Sequence, residues 1–249
     1  MWEWFEYLGG LAVLFSQTVL WTFVPPYTPY KTLHQIIRIG LNSLAIGSLV
    51  GLFTGMILAI QTAYQMEKVS AEMYISSLVS LSLVRELGPV LTSLIVAGRA
   101  GGAITAEIGT MKISEQIGAL RALAVNPIKY LVVPRFWAFV ISLPVLVMIA
   151  NFLGVMGGYY VCVYNLSIPS NLYLITAFNS IMLKDIMISL VKSVVFAILI
   201  VLISCQEGFL TEGGAEGVGE ATMRSVVYSF IAIISADWIL SSLFYFIFS

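Results

Sequence analysis

The sequence predicts an all-α integral membrane protein: a helix lying in the membrane interface, then five transmembrane helices, with a short amphipathic helix between the second and third. Three observations predict it. Of 249 residues, 59% are hydrophobic and only 10% charged, and the mean hydropathy is +0.98. A soluble domain carries about 25% charged residues, so this inventory cannot cover a water-facing surface. The apolar residues are also gathered into uncharged runs that reach the ~20 residues a membrane crossing requires. Net charge is −1, which argues against a nucleic-acid partner.

The opening stretch, "MWEWFEYLGGLAVLFSQTVLW", lacks the basic n-region and small-residue cleavage site of a secretory signal. Trp2, Trp4, Phe5, Tyr7 and Trp21 are the amphipathic aromatics that settle at headgroup level. An interfacial helix is therefore expected, broken by Pro25, Pro26 and Pro29. Residues 1–35 make this helix and its Pro-rich linker, and residues 36–249 make the spanning domain.

The first span falls between Arg38 and Glu67, where no residue is charged. Gly47, Gly51 and Gly55 repeat the G-x-x-x-G step along it, a bare stripe that lets helices approach closely in lipid. The second span lies within residues 73–106, with residues 87–106 as the crossing and Arg85 and Glu86 at its outer end. Gly98, Gly101, Gly102 and Ala103 surround Arg99, and close packing against the first span's stripe accounts for them. After Glu107, Ile113, Ile117 and Leu120 recur at helical spacing among Lys112, Glu115 and Arg121, so an amphipathic helix is expected over about 107–124, ended by Asn126-Pro127.

The third span follows Arg135, with Pro144 as a kink and an outer loop around Pro169. The fourth runs from about Ile186 to Gln206 and contains Lys192. "EGFLTEGGAEGVGEATMR" reads as a polar, glycine-rich loop, and the fifth span, from Ser225 onward, contains Asp237. Basic residues concentrate between Arg99 and Arg135, which by the positive-inside bias puts the amphipathic helix and the N-terminus in the cytoplasm and the C-terminus outside.

Motifs for chemistry are absent. No G-x-x-x-x-G-K-[ST] occurs, "GVGEAT" lacks the third glycine of a dinucleotide turn, and the single histidine, His34, cannot build a catalytic set. Cys162 and Cys205, far apart in apolar stretches, read as buried thiols with no metal spacing. What remains are the charges in or near the membrane. A charge at the bilayer centre costs ~2.5–3.5 kcal/mol on insertion scales, so each needs a reason. Arg85 suits a bidentate pairing with a lipid phosphate. Lys192 and Asp237 carry no assignment from sequence beyond the possibility of pairing across helices.

"SLVSLSLVRELGPV", "AGRAG", "AEIGTMK", "EQIGAL", "NPIKYLVVPRFWA", "KSVVFA" and "GGAEGVGEATMRSVV" occur in order between residues 77 and 227, within a likeness that covers roughly residues 40–245. In these stretches the chain closely resembles the MlaE family, permease subunits of ABC-type lipid transporters that work with MCE proteins. The resemblance implies a homodimer of a five-span fold preceded by an interfacial elbow helix, in the cell inner membrane. Each protomer would sit on a separate cytoplasmic P-loop ATPase that holds the ATP and magnesium, leaving this chain without cofactor, metal or covalent chemistry. The dimer would lie below a periplasmic MCE-domain protein and pass phospholipid between it and the membrane. The stretch from Glu107 to Ala124, with Lys112, Glu115 and Arg121, would be the coupling helix that enters the ATPase. A lipid pocket between protomers would be lined by Leu58, Gln65, Met66, Val69, Arg85 and Glu86. The alternative is a secondary transporter of a hydrophobic substrate, which would use ionisable residues such as Lys192 and Asp237 near the midplane.

Overall fold

The computed structural model describes residues 2–25, 29–68 and 71–248, and no strand occurs among them. Helix α1 is Trp2–Thr22 and α2 is Pro29–Glu67. A 3₁₀ turn at Glu72–Tyr74 leads into α3, Ile75–Ile113. The short α4, Gln116–Ala122, precedes α5, Ile128–Tyr164. Helix α6 is Ser170–Ser180, α7 is Leu183–Leu210 and α8 is Gly214–Phe248. Five of these, α2, α3, α5, α7 and α8, are long and apolar enough to cross a membrane.

Several elements are longer than their charges suggested. Helix α3 begins ten residues before Arg85, so Arg85 and Glu86 lie inside it and not at its outer end. Both are held by partners on other helices, which removes the cost that would have ended the crossing there. The expected loop after Gln206 is a helical hairpin. Only residues 211–213 interrupt it, and Gly213 and Gly214 make the reversal at φ +85 and +71, backbone that side chains rarely adopt. Glu207 and Arg224 pair across this hairpin at 3.2 Å. The segment expected as an amphipathic helix over 107–124 is divided. Residues through Ile113 continue α3, Glu115 adopts a left-handed conformation at φ 57, and α4 starts after it. Helix α6 occupies part of the expected outer loop; an uncharged run offered no signal for it. Its Tyr173 is fully buried and donates to the Val155 carbonyl at 3.2 Å, and burial raises its phenol above the ordinary pKa.

The chain divides into two compact units. The first holds Met1–Asn42, Val96–Ser142 and Val195–Ala236; the second holds Ser43–Ile95, Leu143–Val194 and Asp237–Ser249. In the first unit, α1 is anchored by Gln206 Nε2, which donates to the Tyr7 carbonyl at 2.9 Å, and by an edge-on contact of Tyr7 with Tyr228. The buried Thr105 hydroxyl lies 3.0 Å from the Ser204 carbonyl and 2.8 Å from Ser225 Oγ, joining α3, α7 and α8. Gly98 and Gly102 face Phe230 and Thr222 of α8 at ordinary contact distance, and Gly101 faces Ser204. These glycines therefore pack on α7 and α8 rather than on the α2 stripe.

In the second unit the core gathers Ala59, Ala63, Ile75, Val79, Leu83, Val155 and Tyr173. The α2 stripe meets α5 here. A Cβ on Gly51 would stand 2.6 Å from the Ala150 carbonyl oxygen, and one on Gly55 would overlap the Gly154 carbonyl. Gly47 is different: its nearest neighbour would be the Thr92 methyl at 3.9 Å. Backbone carbonyls cannot move aside as flexible side chains do, so overpacking at Gly55 outweighs any gain in helix propensity. Gly55→Ala should lower stability by about 1–3 kcal/mol in mixed-micelle unfolding, and Gly47→Ala should leave it unchanged or raise it. Equal behaviour of the two variants would contradict the contact.

Candidate functional site

Arg85 and Glu86 occupy a π-helical turn, Leu83–Leu87, within α3. Such turns insert an extra residue into the helical ladder and recur at functional sites. Adjacent helical residues point about 100° apart, and the two side chains accordingly take different partners in the second unit. The Arg85 guanidinium meets the Asp185 carboxylate of α7, with Nε and Nη2 at 2.7 and 2.6 Å from Oδ1. Asp185 is fully buried, and its Oδ2 also accepts from the Met182 amide at 2.8 Å, fixing the start of α7.

Glu86 meets Lys192, also on α7 and also fully buried. The Lys192 ammonium lies 2.5 Å from Glu86 Oε2, 2.8 Å from Asp237 Oδ1, 2.7 Å from Ser241 Oγ and 3.1 Å from the Arg85 carbonyl. Ser241 Oγ in turn donates to the Glu86 carboxylate at 3.0 Å. Two cations thus answer three carboxylates within an apolar bundle, with one negative charge in excess. Asn151 and Ser189 add a buried hydrogen bond of 3.2 Å in the same unit.

The two ends of this network differ in exposure. Asp185 and Lys192 are sealed, whereas Arg85 and Glu86 keep 41% and 46% of their side chains exposed. They open onto a cleft of about 320 Å³ bordered also by Lys184, Ser241, Phe244 and Tyr245. The cleft can offer cationic groups beside aromatic surface, the complement of an amphiphile carrying an anionic head.

Of the other expected lipid-pocket residues, Leu58 and Met66 pack half-buried against the core around Ala59, Ala63 and Tyr173. Gln65 is exposed, and Val69 lies outside the described residues. Leu58, Gln65 and Met66 do not border the Arg85 cleft within one chain. Among the coupling residues, Lys112, Glu115 and Arg121 share a cavity of about 380 Å³ in the first unit with Ile117, Phe209 and Glu212. Glu107 does not join them. Its two carboxylate oxygens are held by Arg38 at 2.8 Å and by the buried Arg135 at 3.0 Å. Sequence reasoning left Asp185, Ser241, Arg38 and Arg135 unassigned. A single charge flanking a span carries no mark of its partner, so only the shortage of charges overall could have pointed to their pairing.

Fold and site together define a multi-pass helical membrane protein with a network of buried ion pairs that opens on a cleft. Residues 32–243 match the family described as Permease MlaE. A probable ABC transporter permease protein of Rickettsia typhi is 43% identical over 237 residues, covering 95% of this chain and 92% of that protein. The intermembrane phospholipid transport system permease protein MlaE of Haemophilus influenzae is 40% identical over 216 residues, covering 86% and 82%. The chloroplastic protein trigalactosyldiacylglycerol 1 of Arabidopsis thaliana is 40% identical over 217 residues, covering 86% of this chain and 61% of that protein. The chain belongs to the MlaE permease family, and it is the permease of an ABC transporter. The secondary-transporter alternative falls with that assignment.

Lys192→Met would leave Asp237 and Glu86 without their cation. Removing one partner of a buried pair costs about 3–5 kcal/mol, and the exposure of Glu86 places this case at the lower end. Lys112, paired with the 87%-exposed Glu212 at 3.8 Å, provides the contrast. Unfolding in mixed micelles should show a clear loss for Lys192→Met and no measurable change for Lys112→Met. A silent Lys192→Met would contradict the network as described.

Proposed function

We propose that this chain is the membrane subunit through which an ABC transporter moves phospholipid between the inner membrane and a periplasmic MCE-domain protein. The geometric observation that carries the reading is the half-exposed Arg85–Glu86 pair, backed by sealed counter-charges and opening onto aromatic surface. A zwitterionic or anionic headgroup finds a guanidinium there, beside a carboxylate that Lys192 pairs with. Family membership supports the same reading, since the Haemophilus relative is named for intermembrane phospholipid transport.

Two copies of the chain form the working unit. Within one chain, Leu58, Gln65 and Met66 stand apart from the Arg85 cleft, and a second protomer brings the two sets to one pocket that faces the periplasm. The N-terminus lies in the cytoplasm and the C-terminus in the periplasm, with α1 as an elbow helix along the membrane surface. A separate P-loop ATPase binds ATP and magnesium and docks at α4, where Lys112, Glu115 and Arg121 border one cavity. The left-handed turn at Glu115 lets α4 leave the axis of α3, making it a distinct element for the ATPase to grip. Closure of the ATPase on ATP narrows the pocket and expels lipid toward the MCE protein.

Purification of the tagged chain from its native membrane should bring a P-loop ATPase with it, and charge reversal at Glu115 or Arg121 should reduce that yield severalfold. In the purified complex, a photoreactive residue at the exposed Gln65 should crosslink phospholipid, and trapping the ATPase with nucleotide should suppress the crosslink. Crosslinking indifferent to nucleotide would contradict the pocket. An intact complex in both charge-reversal variants would contradict the docking site.

A further inference from the structure

A cavity of about 570 Å³, larger than the cleft at Arg85, lies in the first unit between the end of α1, the beginning of α2 and the first turns of α5. Its walls are Trp21 of α1, Leu33 and Ile36 of α2, and Val133, Trp137 and Ile141 of α5. Neither the charge network nor the α4 cavity uses these residues.

The α5 wall has a direction. Lys129, Val133, Trp137 and Ile141 follow at four-residue spacing, so they form one stripe that begins in an ammonium and ends in a branched alkyl group. At 1.5 Å per residue the stripe is about 18 Å long, close to the ~15 Å of one leaflet of a ~30 Å hydrocarbon core. Tyr30, Leu33, Trp137 and Ile141 are all exposed along the groove, 39% for Trp137 and 55% for Leu33.

The charged end is built rather than loose. Asn126 Oδ1 accepts from the amides of Ile128 and Lys129 and sets the first turn of α5. Lys129 Nζ donates to the Pro25 carbonyl at 2.8 Å and stands 5.5 Å from the Trp21 ring centroid. Lys31 Nζ lies 3.2 Å over the ring of Tyr130, the next residue. An ammonium has three donors, and only one of those on Lys129 is directed to Pro25. Among the described residues no carboxylate borders the groove, so the Lys129 ammonium favours an anion.

We propose that this groove is a resident site for one anionic glycerophospholipid of the surrounding bilayer. One acyl chain lies along Val133, Trp137 and Ile141, and the phosphate sits against Lys129. Such a lipid cements the end of α1 to α2 and α5. It is distinct from the transported molecule, and the proposal requires only that the chain spans a bilayer.

The test uses the full chain in nanodiscs of phosphatidylcholine containing a minor fraction of lipid with brominated acyl chains, which quench tryptophan on contact. Trp2, Trp4 and Trp238 are replaced by Phe, leaving Trp21 and Trp137 as reporters. Brominated phosphatidylglycerol should quench more strongly than brominated phosphatidylcholine at equal fraction. Lys129→Gln should reduce that preference about fivefold, the equivalent of about one favourable interaction for a basic residue at an anionic surface. A chain keeping only Trp238, 73% exposed on α8, should respond alike to both lipids. Equal quenching of Trp21 and Trp137 by the two lipids, a preference that survives Lys129→Gln, or the same preference at Trp238 would each overturn the site. Lys68→Gln, at an exposed lysine that does not line the groove, should leave the preference intact, and because no ATPase or transport enters this assay, failure of the transport reading would leave its result unchanged.

Discussion

The ammonium of Lys192 is fully buried among apolar helices, and the second unit is arranged around answering it. An uncompensated charge there costs several kcal/mol, whether by insertion scales or by the penalty for breaking buried pairs. The answer comes from α3 and α8 together: Glu86 and the Arg85 carbonyl from one, Asp237 and Ser241 from the other. Replacing a whole buried network by apolar groups is often neutral or stabilising. The network therefore matters less for total stability than for placement. It holds three helices in one register and leaves Arg85 and Glu86 half-exposed in a fixed orientation.

Local backbone serves the same placement. The π-helical turn at Leu83–Leu87 lets two adjacent charged residues serve separate partners, Arg85 toward Asp185 and Glu86 toward Lys192. Close approach of α2 to α5 through Gly51 and Gly55 packs backbone against backbone beside this region. In the first unit the same logic appears in reverse. There a carboxylate, Glu107, is held between two guanidiniums, while α4 beyond it keeps Glu115 and Arg121 exposed.

The number of crossings was legible because hydrophobicity is read residue by residue and needs no partner. So were the interruptions at Pro25 and Asn126-Pro127, whereas of the α2 glycines only Gly51 and Gly55 meet α5 closely. Crossing boundaries failed wherever a charge had a partner. Arg85 looked like a helix end, and Glu207 and Arg224 looked like a loop, because pairings between residues far apart leave no periodic trace. Tyr173 and α6 were hidden in an uncharged run with no contrast to mark a turn. The family motifs located Arg85 and Glu86, yet Asp185 and Ser241, which complete their network, stand outside those stretches. Arg85 itself changes character: it is a guanidinium already bound to a sealed carboxylate, with only its remaining face available to a headgroup.

The central claim is that charge compensation, and not side-chain shape, holds the Arg85–Glu86 pair in place. The most direct measurement compares Lys192→Met alone with the triple variant Glu86→Gln, Lys192→Met, Asp237→Asn in the same mixed-micelle unfolding assay. Compensation predicts that the triple variant, with no buried charge left unpaired in this cluster, recovers most of the stability that the single variant loses. A triple variant no more stable than Lys192→Met alone would contradict it.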